Sequence, residues 1–258
     1  MIKDILNNMK KKTIRLIATI ALVLGSLLFV LIGAAAAWGD IESTLFNNTR
    51  SAPGRLTTLN CPAFITTDET AYISARIINE TNKDTLFKIR AFITDGNIIL
   101  LKEIDSDVPL GPYESMVIEW PVIAENAAFD RVILARVHQL ENSPHPYRNA
   151  SCGIVVVGIP FLTGTQLVYL GMGLGLVSSA AGLWFWNQNA TPHGWRNSGF
   201  RRRTFFTGAA LLLAVTGLMG YWALATIILV VWITLVIEVV WHETITTHKS
   251  PIDIENEK

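Results

Sequence analysis

The stretch 161-FLTGTQLVYLGMGLGLVSSAAGLWFW-186 contains no charged side chain. A helix that crosses the apolar core of a bilayer needs about 20 such residues. Two other apolar blocks, residues 16–37 and 205–241, are also long enough. The chain is 50% hydrophobic and 16% charged, whereas soluble domains carry about 25% charged residues. The sequence therefore predicts a membrane protein.

The charges around these blocks predict a topology. The tail before the first block and the loop 187–204 are basic, and their main cationic residues are Lys10, Lys11, Lys12, Arg15, Arg201, Arg202 and Arg203. Residues 39–160 hold ten basic and fifteen acidic residues, a net charge of −5. Short basic flanks stay in the cytoplasm. We therefore expect a multi-pass plasma-membrane protein with both termini cytoplasmic and residues 39–159 outside.

Four transmembrane helices are predicted, over 16–37, 160–186, 205–219 and 223–241. Pro160 is suited to the first turn of the second helix, where its missing N–H costs nothing. As one helix, 205–241 would be about 55 Å long, too long for a core of about 30 Å. A break at residues 220–222 gives two short spans, and a re-entrant pair is the alternative. The first block also resembles a cleaved signal peptide, but its length favours an uncleaved anchor.

Residues 61–158 have the period-two pattern of β-strands. Along Thr70–Asn79 and Thr85–Thr94 every second residue is apolar, and the residues between them are mixed. The further predicted strands are Asn97–Glu103, Ser115–Val122, Arg131–Val137 and Cys152–Ile159. Asp95-Gly96 is a predicted hairpin turn. With one strand before Cys61, following a stalk over 38–60, about seven short strands indicate an antiparallel sandwich.

One part of this segment resembles bacterial immunoglobulin-like domains. The run Val108-Pro109-Leu110-Gly111-Pro112-Tyr113-Glu114-Ser115 precedes the alternating residues Met116, Ile118 and Trp120. This is similar to a turn and an inward-facing strand of those domains, and Thr70–Asn79 is similar to the strand before it. The resemblance covers residues 55–159 and concerns the fold only. It implies an immunoglobulin-like sandwich inserted between the first two membrane helices.

Cys61 and Cys152 lie near the two ends of the predicted outer segment. In an oxidising compartment such a pair favours a disulfide. Two free thiols remain the alternative, because a sequence does not give the separation of the Cα atoms.

Small residues at helical spacing mark the second membrane helix: Gly171, Gly175, Ser179 and Gly182. Such a face allows two helices to approach closely. It either binds a partner subunit or packs within this chain's own bundle. Glu238 is the one carboxylate within an apolar block. It is a functional candidate, or it reaches the interface and pairs with Arg201–Arg203.

The sequence supports two functional hypotheses. The first is a non-enzymatic accessory or assembly subunit that presents its outer domain and associates with itself or a protein partner through its helices in the lipid bilayer. The second is a transport or sensing subunit with Glu238 as its polar element. The histidine spacings predict no metal site, and we expect no cofactor. Without a basic face on a folded domain, no nucleic-acid partner is predicted.

Overall fold

The computed structural model describes residues 2–46, 54–140, 145–188 and 198–248, with side chains for 13–46, 54–140, 145–188 and 201–238. It is a mixed fold of four helices and a two-sheet domain. The helices are α1 (Ile2–Phe46), α2 (Gly164–Gln188), α3 (Ser198–Leu218) and α4 (Trp222–His248). The sheet domain is inserted between α1 and α2.

Nine strands form the two sheets in the part of the chain that is described. They are β1 (Gly54–Arg55), β2 (Leu59–Asn60), β3 (Phe64–Thr66), β4 (Ala71–Ile78), β5 (Thr85–Thr94), β6 (Leu101–Leu110), β7 (Ser115–Val122), β8 (Val132–Gln139) and β9 (Arg148–Val157). One sheet has the order β1-β9-β8-β5-β6, with β3 also paired to β9, and the other has the order β2-β4-β7. The prediction of an all-antiparallel sandwich is wrong in one respect, because β1 and β3 pair with β9 in parallel.

The alternation in the sequence correctly identifies the faces of the central strands. The inner residues of β4 and β5 are buried: Ala71, Ile73, Ala75, Ile77, Phe87, Ile89, Ala91 and Ile93. They join Trp120 of β7 and Ile133 of β8 in a single core between the two sheets. Each fully buried aliphatic or aromatic side chain stabilises such a core by about 1.5–3 kcal/mol.

Two loops differ from the prediction. The turn after β5 is longer than Asp95-Gly96, since the Asp95 amide donates to the carbonyl of Leu100 (2.9 Å) and β6 begins at Leu101. The four residues between Asp95 and Leu100 form the connection, in place of a tight two-residue hairpin. The predicted single strand before Cys61 is instead two short strands, β1 and β2.

Helix α1 extends well beyond the predicted span 16–37. It continues to Phe46, so the prediction of an irregular stalk from residue 38 is wrong at its start. Trp38 Nε1 donates to Glu42 one turn later (3.2 Å). Gly39 and Ser43 are buried, and Gly39 lies against Gly153 of β9. Tertiary packing thus overrides the weak helical preference of glycine.

The start of α2 is also set by packing. The helix begins at Gly164, not at Pro160. Phe161, between β9 and α2, has φ +71°, so its backbone is not helical. Thr163 and Gln166 form a capping box: the Gln166 amide donates to Thr163 Oγ1 (3.2 Å) and the Thr163 amide to Gln166 Oε1 (3.1 Å). This motif satisfies amides that a helix start leaves free.

Helix α1 is the centre of the bundle and contacts α2, α3 and α4. Among the described residues, two helices are long and apolar enough to cross a membrane, Thr13–Phe46 within α1 and Gly164–Gln188. A shorter apolar stretch, Trp222–Glu238, lies in α4. The chain between α3 and α4 turns at Gly220, with φ +74°.

Candidate functional site

The sandwich and the bundle meet at a cleft of about 480 Å³. It is lined by the outer end of α1, the segment 55–63, the middle of β9 and the α3–α4 turn at 217–222. Four separate parts of the chain therefore converge here, and any movement of the sandwich relative to the helices changes this cleft.

Asp40 is the acidic residue of the cleft. β1 pairs with β9 only up to Asn149 and β3 only from Val155. The amide of Gly153 lies in the gap between them and donates to Asp40 Oδ1 (3.3 Å). The carboxylate of Asp40, which belongs to helix α1, thereby accepts a hydrogen bond that the carbonyl of a neighbouring strand would otherwise accept.

The position of Asp40 also changes its titration. It follows the predicted span 16–37 and lies against the sandwich. Burial raises the pKa of Asp40 to about 6, while the hydrogen bond from Gly153 and the positive charge of Arg55 act in the opposite direction. The carboxyl group therefore changes its charge near neutral pH, at the contact between the two parts of the protein.

Cys61 and Cys152 lie beside this contact at disulfide-bonding distance. Their sulfur atoms are joined, with the Cα atoms 6.5 Å apart. Cys61 follows β2, and Cys152 precedes Gly153 in β9. The bond holds the segment between β1 and β3 against β9 where the ladder is interrupted.

Glu69 forms a second link between the sandwich and the helices. Its Oε2 accepts from the amide of Gly164 at the start of α2 (2.7 Å) and from the amide of Thr66 in β3 (3.1 Å). Thr66 Oγ1 also donates to the carbonyl of Leu162 (2.7 Å). A carboxylate at a helix N-terminus is favoured by the helix dipole, so β3 and α2 are fixed together.

The predicted small-residue seam packs within the chain. A Cβ atom added at Gly171, Gly175 or Gly182 would meet Ile32, Phe29 or Leu22 of α1, respectively. Ser179 is buried next to Gly25. In the structure these residues of α2 face α1 of the same chain.

The other predicted membrane residues lie at different positions. Glu238 is exposed on α4. Thr216 and Thr226 donate to carbonyls of their own helices (2.8 Å in each case). Ser26 Oγ is 3.4 Å from Thr207 Oγ1. These groups do not converge with Glu238 on one site.

The basic residues meet at the opposite end of the bundle. Arg203 of α3 lies over the ring of Trp186 (3.3 Å to the centroid), and Arg15 of α1 is 5.9 Å from the same ring. Arg201 and Arg202 are exposed. Lys10, Lys11 and Lys12 belong to α1 by their backbone, and their side chains lie outside the described residues.

A buried polar cluster lies on the outer side of β8. His138 is 7% exposed, contacts the hydroxyl of Tyr147 and meets the ring of Phe92 edge-on. Burial, together with the charges of Arg136 and Arg90, lowers the pKa of His138 to about 4. This histidine is therefore neutral at physiological pH.

Sequence reasoning missed Asp40 and Glu69, because both lie in polar segments without a motif. In the part of the chain that is described, no group of three or more His, Cys, Asp or Glu residues could hold a metal ion.

No protein-family model and no curated protein matches the chain. Among solved structures, the chain is similar to the CARDB domain of a Pyrococcus furiosus protein determined in complex with di-metal ions. The identity is 16%, the match covers 39% of this chain and 90% of that domain, and the TM-score is 0.30. These values describe a fold-level similarity and carry no argument about function.

Proposed function

We propose that the protein is a multi-pass membrane protein that presents an immunoglobulin-like domain outside the cell as a non-enzymatic interaction or assembly subunit. The observation that carries this proposal is the continuity of α1. One helix leads from the bundle onto β9, where Gly39 and Gly153 are in backbone contact. Such a connection holds the sandwich at a fixed height and orientation, which suits a docking platform.

The proposal includes four membrane spans with both termini cytoplasmic. Its support is the packing of α3 on α1, where Gly217 and Ala214 approach Gly33 so closely that a side chain would not fit. Arg15 and Arg203 both lie near the ring of Trp186, which supports a common side of the membrane for the two basic segments. A membrane-impermeant reagent should therefore leave a tag at either terminus unlabelled in intact cells and label both after permeabilisation.

The outward face of the β2-β4-β7 sheet is the proposed contact surface for a protein partner. Tyr72, Ile78 and Val117 are exposed there. In the register of β4 and β7, Arg76 lies opposite Val117, and Tyr72 lies opposite Pro121. Aromatic and apolar side chains mixed with an arginine are typical of interface cores.

A matched pair of variants tests this surface. Val117 and Leu86 have similar exposed fractions, 48% and 44%, but lie on different sheets. Protein purified from its native membrane in mild detergent should have a protein mass above one chain of 28.5 kDa. Val117→Asp should reduce the mass to that of one chain, and Leu86→Asp should not. A single-chain mass for the unsubstituted protein would contradict the proposal.

The second candidate function is sensing, and the cleft favours it through Asp40 rather than Glu238. Protonation near pH 6 removes the charge of Asp40 at the contact with Gly153. If this contact reports pH to the helices, Asp40→Asn should abolish the change in amide protection of residues 38–46 between pH 5 and pH 7. The same change in the variant would exclude Asp40 as a sensor.

A further inference from the structure

The two ends of the sandwich differ in their distance from the bundle. Val155 and Val157, at the end of β9, pack against the cluster that Ile32 and Ala36 of α1 form with Phe64 of β3. Those two α1 residues belong to the predicted span 16–37. This end of the sandwich is therefore level with the outer part of the spans, and the opposite end points away from them.

The register of the sheet shows which ends of the other strands lie at the same level as Val155. Val132 at the start of β8 pairs with Val155. Two residues further along β8, the amide of Leu134 donates to Thr94 Oγ1 at the end of β5 (3.0 Å). Thr94 pairs with Leu101 of β6. The loop 95–100 is thus at the bundle end of the sandwich.

Large apolar side chains are exposed along this end. We define the apolar rim as Ile98, Ile99, Leu100, Leu101, Phe129 and Phe161. Ile99 is 84% exposed, Phe129 66% and Phe161 97%. Isolated exposed apolar residues are normal, but several together on one edge indicate a binding surface.

The backbone holds this rim in place. Phe129 has φ +54° and Phe161 has φ +71°, a region that is disfavoured for bulky residues. Asn126 Nδ2 donates to Asp95 Oδ1 (3.2 Å) and ties the loop 95–100 to the connection that carries Phe129. Such conformations persist only where the surroundings impose them, so the rim is a fixed feature of the fold.

We propose that the apolar rim inserts into the outer leaflet of the same bilayer that the helices cross. The inference rests on the proposed membrane topology. Lipid is the occupant because the rim lies at the level where α1 enters the predicted span and where α2 begins. Interfacial apolar groups reach about 5–10 Å into the boundary between headgroups and acyl chains. The neighbouring carboxylates of Asp95 and Asp130 remain at the hydrated headgroup level.

The sandwich then has three attachments to the membrane, namely α1, α2 and the rim. The rim lies next to the edge strand β6, which is separated from β9 by two strands of the sheet. Its attachment to lipid therefore opposes tilting of the sandwich about α1 and α2. This deepens the role of a docking platform, because the orientation of the β2-β4-β7 face is fixed relative to the bilayer.

Site-specific photocrosslinking tests the rim in the full chain. The photoreactive residue p-benzoylphenylalanine replaces one residue at a time, in protein reconstituted into phosphatidylcholine vesicles with tritiated acyl chains. The test positions are Ile99 and Phe129. The matched control is Tyr113, which is 73% exposed with φ +59° but lies in the turn at the other end of the sandwich. Leu174, exposed on α2, reports whether that helix is in lipid.

We expect lipid labelling at Ile99 and Phe129 to exceed that at Tyr113 by at least about fivefold, since acyl chains are excluded from water. Labelling at Leu174 with Ile99 and Phe129 no higher than Tyr113 overturns the rim while leaving the topology intact. Absence of labelling at Leu174 overturns the membrane placement and the rim with it. Each variant is also run on a non-reducing gel. Migration as the disulfide-bonded form shows that Cys61 and Cys152 have paired and that the sandwich has folded.

Discussion

The contact between α1 and β9 gives the sharpest prediction, through Gly153→Ala. A Cβ atom at this position would overlap with the backbone of Gly39, whose Cα would be 2.8 Å away. A backbone cannot rotate aside as a side chain can, so α1 must separate from β9. Overpacking of this kind costs about 1–3 kcal/mol. The general preference of a strand for alanine over glycine acts in the opposite direction by roughly 0.5–1 kcal/mol.

The midpoints of these two ranges give a net local destabilisation of about 1 kcal/mol, which corresponds to a factor of roughly 5–10 in the opening equilibrium. Hydrogen exchange in lipid nanodiscs should show this loss of amide protection in residues 38–46 and 150–156. Gly158→Ala is the control, because a Cβ there meets no atom within 4 Å. Unchanged or increased protection in Gly153→Ala would refute the contact between α1 and β9.

Four other perturbations have defined outcomes. Gly217→Ala should lower the melting temperature in detergent because its Cβ meets the backbone of Gly33, whereas Gly208→Ala, with open space around it, should not. Replacing both cysteines, which are 91 residues apart, should lower the free energy of unfolding by about 2–4 kcal/mol, as measured by denaturant titration. The pKa of His138 is lower in the folded protein, so between about pH 6.5 and 4 the unfolded chain binds more protons than the folded one. Stability therefore falls as the pH falls through this window. His138→Gln should reduce that fall. Asp40 has the opposite sign, because its raised pKa gives stability that is lost as the pH rises through about 6, and Asp40→Asn should remove that loss.

The strands with one buried face were predictable from the sequence. The bounds of β5 and β7 agree with the predicted Thr85–Thr94 and Ser115–Val122. Period-two alternation is a local signal, and it fixes both the strand and its buried face. The strands β1 and β3 are too short to show a period, and their parallel pairing depends on β9, which lies far along the chain.

The outer part of α1 could not be found in the same way. Residues 39–46 contain no apolar periodicity, and Gly39 favours a break in the helix. Their helical form comes from burial against the sandwich. A signal was nevertheless present, because Ala36, Gly39 and Ser43 are small residues at helical spacing, the same pattern that marks close packing in α2.

The seam of α2 shows a different limit of sequence reasoning. The small residues correctly indicate a close helix contact, but their pattern does not name the partner helix. α1 also presents Gly25 and Gly33, towards α2 and α3 respectively. The helix with small residues on two faces is the one that lies in the middle, since it needs close approach on both sides.

The central position of α1 limits how the sandwich can act on the helix bundle. β8 is buried at every residue, because the core covers one face while α1 and Tyr147 approach the other. The β2-β4-β7 face is left exposed, and its inner side packs through the common core on β8 and β9. A partner bound there would influence the helices through this core and then through the contact of Gly39 with Gly153. Gly153→Ala should therefore leave partner binding intact while weakening its effect on the bundle, a separation that Val117→Asp cannot produce.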